Sequence, residues 1–161
     1  MKKLLLIFLF LFILTGCNSY SKEKEIYNNM INDLNNQSII NGELPFSVDV
    51  VLEKDIDEEL TYSIIIDNPK EEIRNIKALA IHNFDTNGIY PTVGIFDEKL
   101  NLIPNKIDNK NNMVKGIILV GYIKYNGSIN NFNGIIKLLL EYEDEDDNNK
   151  KVYYQYQKET K

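Results

Sequence analysis

The stretch LPFSVDVVLE, residues 44–53, sets the expected fold of this chain. Its even positions are apolar: Phe46, Val48, Val50 and Leu52. Its odd positions are mainly polar, with Ser47, Asp49 and Glu53. A period of two places the two sets on opposite faces of a β-strand, so we expect one face to be buried. The stretch LTYSIII, residues 60–66, repeats this alternation after a charged turn, which predicts an antiparallel hairpin.

Further segments with the composition of strands follow this hairpin, separated by turns. They cover residues 73–84, 90–96, 113–125, 136–142 and 152–156. Parallel strands need crossover helices, and no helical period lies between these segments, so the sheet is expected to be antiparallel. We therefore predict that residues 43–158 form an all-β domain, an immunoglobulin-like β-sandwich of about seven strands by analogy of fold alone. A small closed barrel of the lipocalin type is the alternative.

Three details of this domain can be predicted from local composition. The apolar run from Ile73 to Phe84 is expected to be a central strand that is covered on both faces. Gly116 and Gly121 interrupt a strand, which indicates bulges or a close approach of another group to the backbone. The polar segment from Asp97 to Asn112 is expected to be a long loop.

The first sixteen residues have the pattern of an export signal. Lys2 and Lys3 form a basic start, and an unbroken apolar run extends from Leu4 to Leu14. A membrane-spanning helix needs about 20 apolar residues, so this run is too short to remain as a transmembrane anchor. Residues 1–16 are therefore predicted to be a signal peptide that directs export and is then removed.

The four residues Leu14-Thr15-Gly16-Cys17 end this signal. They resemble the lipobox of bacterial lipoproteins, in which an aliphatic residue, a small residue and Gly or Ala precede Cys. The resemblance implies that the thiol of Cys17 receives a diacylglycerol with fatty acyl chains such as palmitate. It also implies cleavage before Cys17, which would anchor the mature protein to the extracytoplasmic face of the cell membrane without spanning it.

Residues 17–42 are expected to link the lipidated N-terminus to the domain. Asn18 to about Glu25 is polar and predicts a tether. Apolar side chains at helical spacing then predict a short amphipathic helix between Lys22 and Leu34, giving a partly helical stalk: Ile26, Met30, Ile31 and Leu34. The turn pair Asn41-Gly42 closes this segment.

Composition restricts the functional class. The formal net charge is −6, and removal of Lys2 and Lys3 makes the mature chain more acidic, which argues against a nucleic-acid partner. Cys17 is the only cysteine, so the fold is expected to depend on its core and not on disulfides. Abundant Asn, Ile and Lys beside the single arginine Arg74 are typical of low-GC Gram-positive bacteria.

The residue types that carry catalysis are sparse. His82 is the only histidine, and Cys17 is assigned to the lipid, so a histidine-based triad and a histidine-rich metal site both lack members. No phosphate-binding glycine loop or other cofactor motif is recognisable. We therefore predict a protein without catalytic residues, metal ligands or cofactors.

One acidic cluster offers oxygen ligands to a hard cation such as Ca²⁺. It consists of Glu141, Glu143, Asp144, Glu145, Asp146 and Asp147. The ligand order of an EF-hand is missing, and charged runs between strands are usually solvated turns. The prediction is a solvated turn, with calcium binding as the alternative for Glu143 to Asp147.

The functional prediction is a non-catalytic binding or accessory module that meets a protein or cell-wall partner. Its expected contact surfaces are the loop from Asp97 to Asn112, the turn from Asp85 to Gly88 and the tyrosines of the last three strands. Those tyrosines also suit core packing: Tyr122, Tyr125, Tyr142, Tyr153, Tyr154 and Tyr156. An acidic-site hydrolase, or an immunity or assembly factor of a membrane complex, is the alternative.

Overall fold

The computed structural model describes residues 17–56, 58–86 and 88–158. The predicted signal peptide, residues 1–16, lies outside this described part, as do the first three residues of the predicted lipobox. The described part contains one α-helix, α1 at Cys17–Asn36. It also contains eight β-strands: β1 Ser47–Ile56, β2 Glu59–Asp67, β3 Ile73–His82, β4 Thr92–Val93, β5 Leu100–Leu102, β6 Gly116–Lys124, β7 Ile135–Glu143 and β8 Asn149–Gln157.

The strands form two antiparallel sheets, which confirms the prediction of an all-β sandwich. Sheet I has three strands in the order β1-β2-β6. Sheet II has five strands in the order β4-β3-β7-β8, with β5 also paired to β3. The sheets are separate, so the alternative of a single closed sheet is wrong. The described residues contain eight strands instead of about seven, because the short strand β5 lies in the segment predicted to be a loop.

Alternation along each strand builds the core between the sheets. From sheet I the inward side chains include Leu60, Tyr62, Ile64 and Ile66 of β2, which pack against Ile136, Leu138 and Leu140 of β7 in the same buried cluster. Removing an aliphatic or aromatic side chain of this size from water stabilises the fold by about 1.5–3 kcal/mol. The period of two that was read from residues 44–53 and 60–66 therefore corresponds directly to the core.

Strand β3 keeps its apolar residues in the core through a bulge at Asn75. Asn75 has a positive φ of 53°, and the pairing register with β7 shifts between Arg74 and Lys77. Because of this shift, Ile73 and Ile76 both join the core although they are three residues apart. Asn tolerates the left-handed conformation better than most residues with a side chain.

Gly121 is a place of close approach, as the sequence predicted. It faces the core from β6 and is paired with Tyr62 on β2. A Cβ atom at Gly121 would collide with the Tyr62 ring. The missing side chain therefore makes room for the largest fully buried side chain of the core.

Helix α1 covers the outer face of sheet II. Its side chains Met30 and Leu34 are buried against Leu79 and Ile81 of β3 and Leu139 of β7. The outward residues of β3 are thus apolar because a helix lies on them, which confirms that this strand is covered on both faces. The predicted tether from Asn18 to Glu25 is wrong, since these residues belong to a helix of 20 residues. The second half of the predicted stalk packs on the domain as part of this helix.

Polar contacts fasten the second half of this helix. The ammonium of Lys137 on β7 donates to the carbonyl oxygens of Leu34 (3.0 Å) and Gln37 (2.9 Å). Helix carbonyls at this end have no partner within the helix, and a cation also complements the helix dipole there. Asp33 accepts hydrogen bonds from Lys151 and from the Tyr153 hydroxyl of β8, each at 3.0 Å.

The segment after the helix passes the outer edge of β8 on its way to sheet I. The Asn41 side chain accepts from the Gln155 N–H (2.8 Å) and donates to the Gln155 carbonyl (2.7 Å). It thereby occupies backbone groups that an edge strand otherwise offers to other chains.

The polar segment from Asp97 to Asn112 is more than a loop, which corrects the prediction. It contains β5, which pairs with β3 at Ile73 and Ile76, and Leu102 of β5 is fully buried. A three-residue strand between polar neighbours has too short an alternation to be recognised from sequence.

Leu34→Ala tests whether the helix is a structural layer of the domain. The substitution removes a fully buried side chain, so we expect it to lower the free energy of unfolding of the soluble domain by about 2–5 kcal/mol. Urea titration followed by circular dichroism measures this change. Ser21→Ala, at an exposed position of the same helix, is the control and should change stability by less than about 0.5 kcal/mol. Equal stabilities of the two variants would contradict a packed helix.

Candidate binding surface

Exposed apolar side chains are concentrated in two regions of the described chain. Four lie on the outer face of sheet I: Val51, Ile118, Val120 and Tyr122. Three others are found at the first half of α1: Tyr20 belongs to the helix, and Ile89 and Phe96 belong to the segment that contacts it. The two others, Ile40 and Ile107, are isolated from these groups in sequence. Clustered exposed apolar groups indicate contact surfaces, whereas single ones need no explanation.

The outer face of sheet I owes its apolar character mainly to β6. Its outward residues Ile118, Val120 and Tyr122 are 58%, 42% and 59% exposed. Ile118 is paired with the half-buried Ile65 on β2. Val120 is paired with Ser63, and Ser63 in turn is paired with Val51 on β1. The pairing therefore joins these side chains into one surface, and we call Val51, Ile65, Ile118, Val120 and Tyr122 the outer apolar face.

The β1 side of this face is acidic. Asp49 is paired with Ile65, and Glu53 is paired with Thr61, so both carboxylates lie in the same rows as Ile118 and Tyr122. The surface thus changes across three strands from aliphatic on β6, through mixed on β2, to acidic on β1.

The position of this face follows from the layer order. Helix α1 lies on the outer side of sheet II, and sheet I lies on the other side of the shared core. The outer apolar face and the helix are therefore on opposite sides of the molecule.

Most of the tyrosines proposed for binding pack inside the protein. Tyr142 is buried in the core between the sheets. Three half-buried tyrosines pack against this core, namely Tyr125, Tyr154 and Tyr156, while Tyr153 packs in the helix layer. Tyr122 alone of this set is exposed on the outer apolar face. Sequence reasoning missed Val51, Ile118 and Val120. The signal for Ile118 and Val120 was the run GIILVGYI, residues 116–123, which is apolar at both odd and even positions although it belongs to an edge strand.

His82 has a structural environment. Its ring lies edge-on to Tyr90 (5.2 Å between centroids), Tyr62 (5.8 Å) and Phe84 (6.2 Å), and its Nδ1 accepts the Phe84 N–H. Burial lowers the pKa of His82 and outweighs hydrogen bonds with the backbone of Tyr122 and Phe84. The imidazole is thus a neutral, hydrogen-bonded member of an aromatic cluster at the end of β3.

Asp144 organises the acidic turn between β7 and β8. Its Oδ1 accepts the backbone N–H groups of Asp146 (3.0 Å) and Asn148 (2.9 Å), and its Oδ2 lies 3.1 Å from the Lys150 ammonium. Burial alone would raise the pKa of Asp144, but these hydrogen bonds hold it down to about 2. The carboxylate therefore shapes the turn.

Three other acidic residues of the cluster have partners of their own. Asp147 pairs with Arg74 (2.8 Å), Glu143 accepts from Asn75 (2.6 Å), and Glu141 lies between Lys77 and Lys151. Among the described residues, no group of three or more His, Cys, Asp or Glu side chains is placed to hold a metal ion.

A cleft of 320 Å³ separates part of the helix from sheet II, and charged groups that pair with one another line it. Glu141 lies 2.8 Å from Lys77 and 2.9 Å from Lys151, and Lys151 also pairs with Asp33. Burial would raise the pKa of Glu141, but hydrogen bonds from Lys151 and Lys77 outweigh it and keep the pKa below its ordinary value. These ions therefore join helix to sheet.

Comparison with known proteins identifies one feature of the chain. Residues 1–18 match the family model of the prokaryotic membrane lipoprotein lipid attachment site. This match supports a membrane-anchored bacterial lipoprotein. The described part of the chain holds no helix with both the length and the apolar character needed to cross a membrane.

The comparisons with curated proteins and with solved structures identify no further family for this chain. No curated protein matches the chain. One solved structure is similar, the solution NMR structure of a conjugate transposon protein (27-141) from Bacteroides vulgatus. The two are 17% identical, the match covers 77% of this chain and 93% of that one, and the TM-score is 0.23. A TM-score this low does not establish a common fold.

Asp144→Asn tests the role of this carboxylate in the turn. A pKa held at about 2, below the ordinary 3.8, means that the ionised group stabilises the folded state above about pH 4. This contribution is lost as the pH falls through the folded pKa. We therefore expect the variant to be less stable than the parent at neutral pH and to lose less stability between about pH 5 and pH 2.

Urea titrations across this pH range measure both effects. Glu145→Gln, at an exposed position of the same turn, is the control and should leave the pH profile of the parent unchanged. Parallel pH profiles for Asp144→Asn and the parent would contradict the assignment.

Proposed function

We propose that the mature protein is a lipoprotein on the extracytoplasmic face of the cell membrane, anchored by a diacylglycerol on Cys17. It acts there as a non-catalytic module that binds a protein partner through the outer apolar face. The observation that carries the binding proposal is the position of that face. It lies on the side of the sandwich opposite helix α1, and this helix begins at Cys17, the residue for which we propose the lipid.

The chemistry of the face favours a protein partner over a wall polymer. Three of its five members are exposed aliphatic side chains, which gain most by packing against the apolar side chains of another protein. A polysaccharide site would instead need aromatic platforms with several hydrogen-bonding groups, and Tyr122 is the single aromatic member here. The acidic β1 side, with Asp49 and Glu53, suits a partner whose apolar contact region has basic residues along one margin.

The alternative of an acidic-site hydrolase has less support. A general acid needs a pKa raised towards the working pH, and this requires a carboxyl that is buried without a cation. Glu141 lines a cleft but has two lysine partners and a depressed pKa. An ionised, paired carboxylate of this kind stabilises structure and is a poor proton donor near neutral pH.

We also infer an immunoglobulin-like connectivity for the sandwich. The first, second and sixth strands form one sheet, and the third, seventh and eighth are consecutive in the other. Immunoglobulin-like domains divide their strands similarly, with A, B, E and D in one sheet and C, F and G in the other, and the described part of sheet I has counterparts of A, B and E but not of D. The short β4 next to β3 occupies the position of the additional strand C′ of variable-type domains.

Cys17→Ser tests the anchor. Serine keeps the size of the side chain and removes the thiol that accepts the lipid, so we expect incorporation of labelled fatty acid to fall to background. The protein should leave the membrane fraction or accumulate as the uncleaved precursor. Labelling at the level of the parent would show that the lipid is attached elsewhere.

Ile118→Glu tests the binding surface. A charge at the centre of an apolar contact is costly to desolvate, so we expect the variant to lose its partner while keeping its fold. A photoactivatable amino acid at Val120 reports the contact in intact membranes. Its crosslinked product should disappear when Ile118→Glu is introduced.

Ile40→Glu is the matched control, because Ile40 is 93% exposed and its neighbour Asn41 contacts β8 of sheet II, not sheet I. This variant should keep the crosslinked product, and circular dichroism should give the same spectrum for both variants. If no product forms from Val120, or if Ile118→Glu leaves it intact, the outer apolar face is not the binding surface.

A further inference from the structure

The second group of exposed apolar side chains surrounds Tyr27 of the helix. The rings of Tyr20 and Tyr27 lie 6.4 Å and 5.5 Å from the Phe96 ring. The Tyr27 hydroxyl accepts the N–H of Tyr90, the residue that directly follows Ile89 in the chain. Tyr20, Ile89 and Phe96 are 65%, 77% and 40% exposed. We call these three residues the anchor-side patch.

A rigid turn holds Phe96 in this patch. Gly94 has a φ of +70°, and a Cβ atom there would collide with the carbonyl oxygen of Ile76. The Gly94 N–H donates to Oδ1 of Asp97 at 2.6 Å, which closes the turn. Of the two residues between Gly94 and Asp97, Ile95 is buried in the helix layer and Phe96 is exposed. The exposure of Phe96 is therefore fixed by the backbone of the turn and is not a consequence of a flexible loop.

The patch lies close to the site of the lipid. Cys17 and Tyr20 are three residues apart in one helix, a separation of about 4.5 Å along its axis. A diacylglycerol on Cys17 would therefore hold the first turn of the helix at the bilayer surface. Aromatic side chains such as Tyr and Phe are stabilised at this depth, where one part of the ring contacts acyl chains and another contacts headgroups.

We propose that the anchor-side patch inserts into the headgroup region of the bilayer, so that the domain docks on the membrane instead of hanging from a tether. This inference rests on the proposed lipidation of Cys17. The charges next to Tyr20 permit close contact, because Lys22 and Lys24 alternate with Glu23 and Glu25 and cancel along the helix. Next to Phe96, the exposed Asp97 and Glu98 outnumber Lys99 by one charge, so this end is close to neutral although the whole chain is acidic.

The occupant is a lipid surface, and a second copy or another protein is less suitable. The helix length between Cys17 and Tyr20 leaves no room for a protein layer between the patch and an anchored bilayer. Docking of this kind also directs the outer apolar face, which lies opposite the helix, away from the bilayer. A protein partner can therefore reach this face. One end of the domain would thus be assigned to lipid and the opposite sheet to protein.

The absence of tryptophan from the chain allows a direct test. Phe96→Trp introduces a single fluorophore into the patch, and Val120→Trp introduces one into the outer apolar face as the matched control. Both variants are expressed from the full sequence, so that Cys17 can be lipidated in the cell, and are reconstituted into phosphatidylglycerol and phosphatidylethanolamine vesicles whose acyl chains carry bromine near the headgroup. Vesicle flotation first establishes that each variant is anchored.

For Phe96→Trp we expect a blue shift of the emission on reconstitution and a loss of fluorescence in brominated vesicles. Val120→Trp should show neither change. Hydrogen exchange of the lipidated protein without any substitution provides a second measurement, which does not depend on a new side chain. Residues 88–97 should exchange more slowly on vesicles than in a soluble form that lacks the lipid.

Each outcome decides between the proposals. Normal flotation with equally weak quenching of both variants overturns membrane docking and leaves the anchor intact. Failure of both variants to float overturns the proposed anchor, and docking with it. Slowed exchange in residues 88–97 that depends on protein concentration and not on vesicles would assign the patch to a second copy and overturn the lipid proposal.

Discussion

Burial of strand β3 on both of its faces is the constraint on which the rest of the structure depends. Ile76, Ala78 and Ala80 face the sandwich core, and Leu79 and Ile81 face the opposite way. A sheet whose outer side carries leucine and isoleucine must be covered, because leaving each in water forfeits about 1.5–3 kcal/mol. Helix α1 supplies this cover through Met30 and Leu34. The molecule is consequently a three-layer structure of helix, sheet II and sheet I.

This layer order gives the protein two unlike sides. The helix layer contains the residue predicted to carry the lipid, and a second group of exposed apolar side chains surrounds its first half. Sheet I has no such cover within the described residues, so the outward side chains of β6 remain in water. Exposed aliphatic groups on a solvated sheet are unfavourable for solubility, and their clustering on one face is the basis of the binding role that we propose.

Polar side chains in this structure mostly position elements. Lys137 holds the end of the helix, Asp144 shapes the turn between β7 and β8, and Asn41 covers the edge of β8. His82 lies in an aromatic cluster with a lowered pKa. His82 and Asp144 looked like candidates for chemistry, because His82 is the only histidine and Asp144 belongs to an acidic cluster. Their surroundings assign them to the stability of the fold.

The sequence by itself determined the class of the fold and the attachment signal, because both depend on local patterns. Alternation at residues 44–53 and 60–66 fixes which side chains face the core, and the residues up to Cys17 form a continuous linear motif. The two exposed surfaces were decided only by tertiary structure. Ile118 and Val120 have the composition of buried residues, and their exposure depends on β6 ending a sheet that no helix covers. Tyr20 lies 69 residues before Ile89 and 76 residues before Phe96. They come together only when α1 packs on β3, since side-chain contact across such separations follows from packing and not from local sequence.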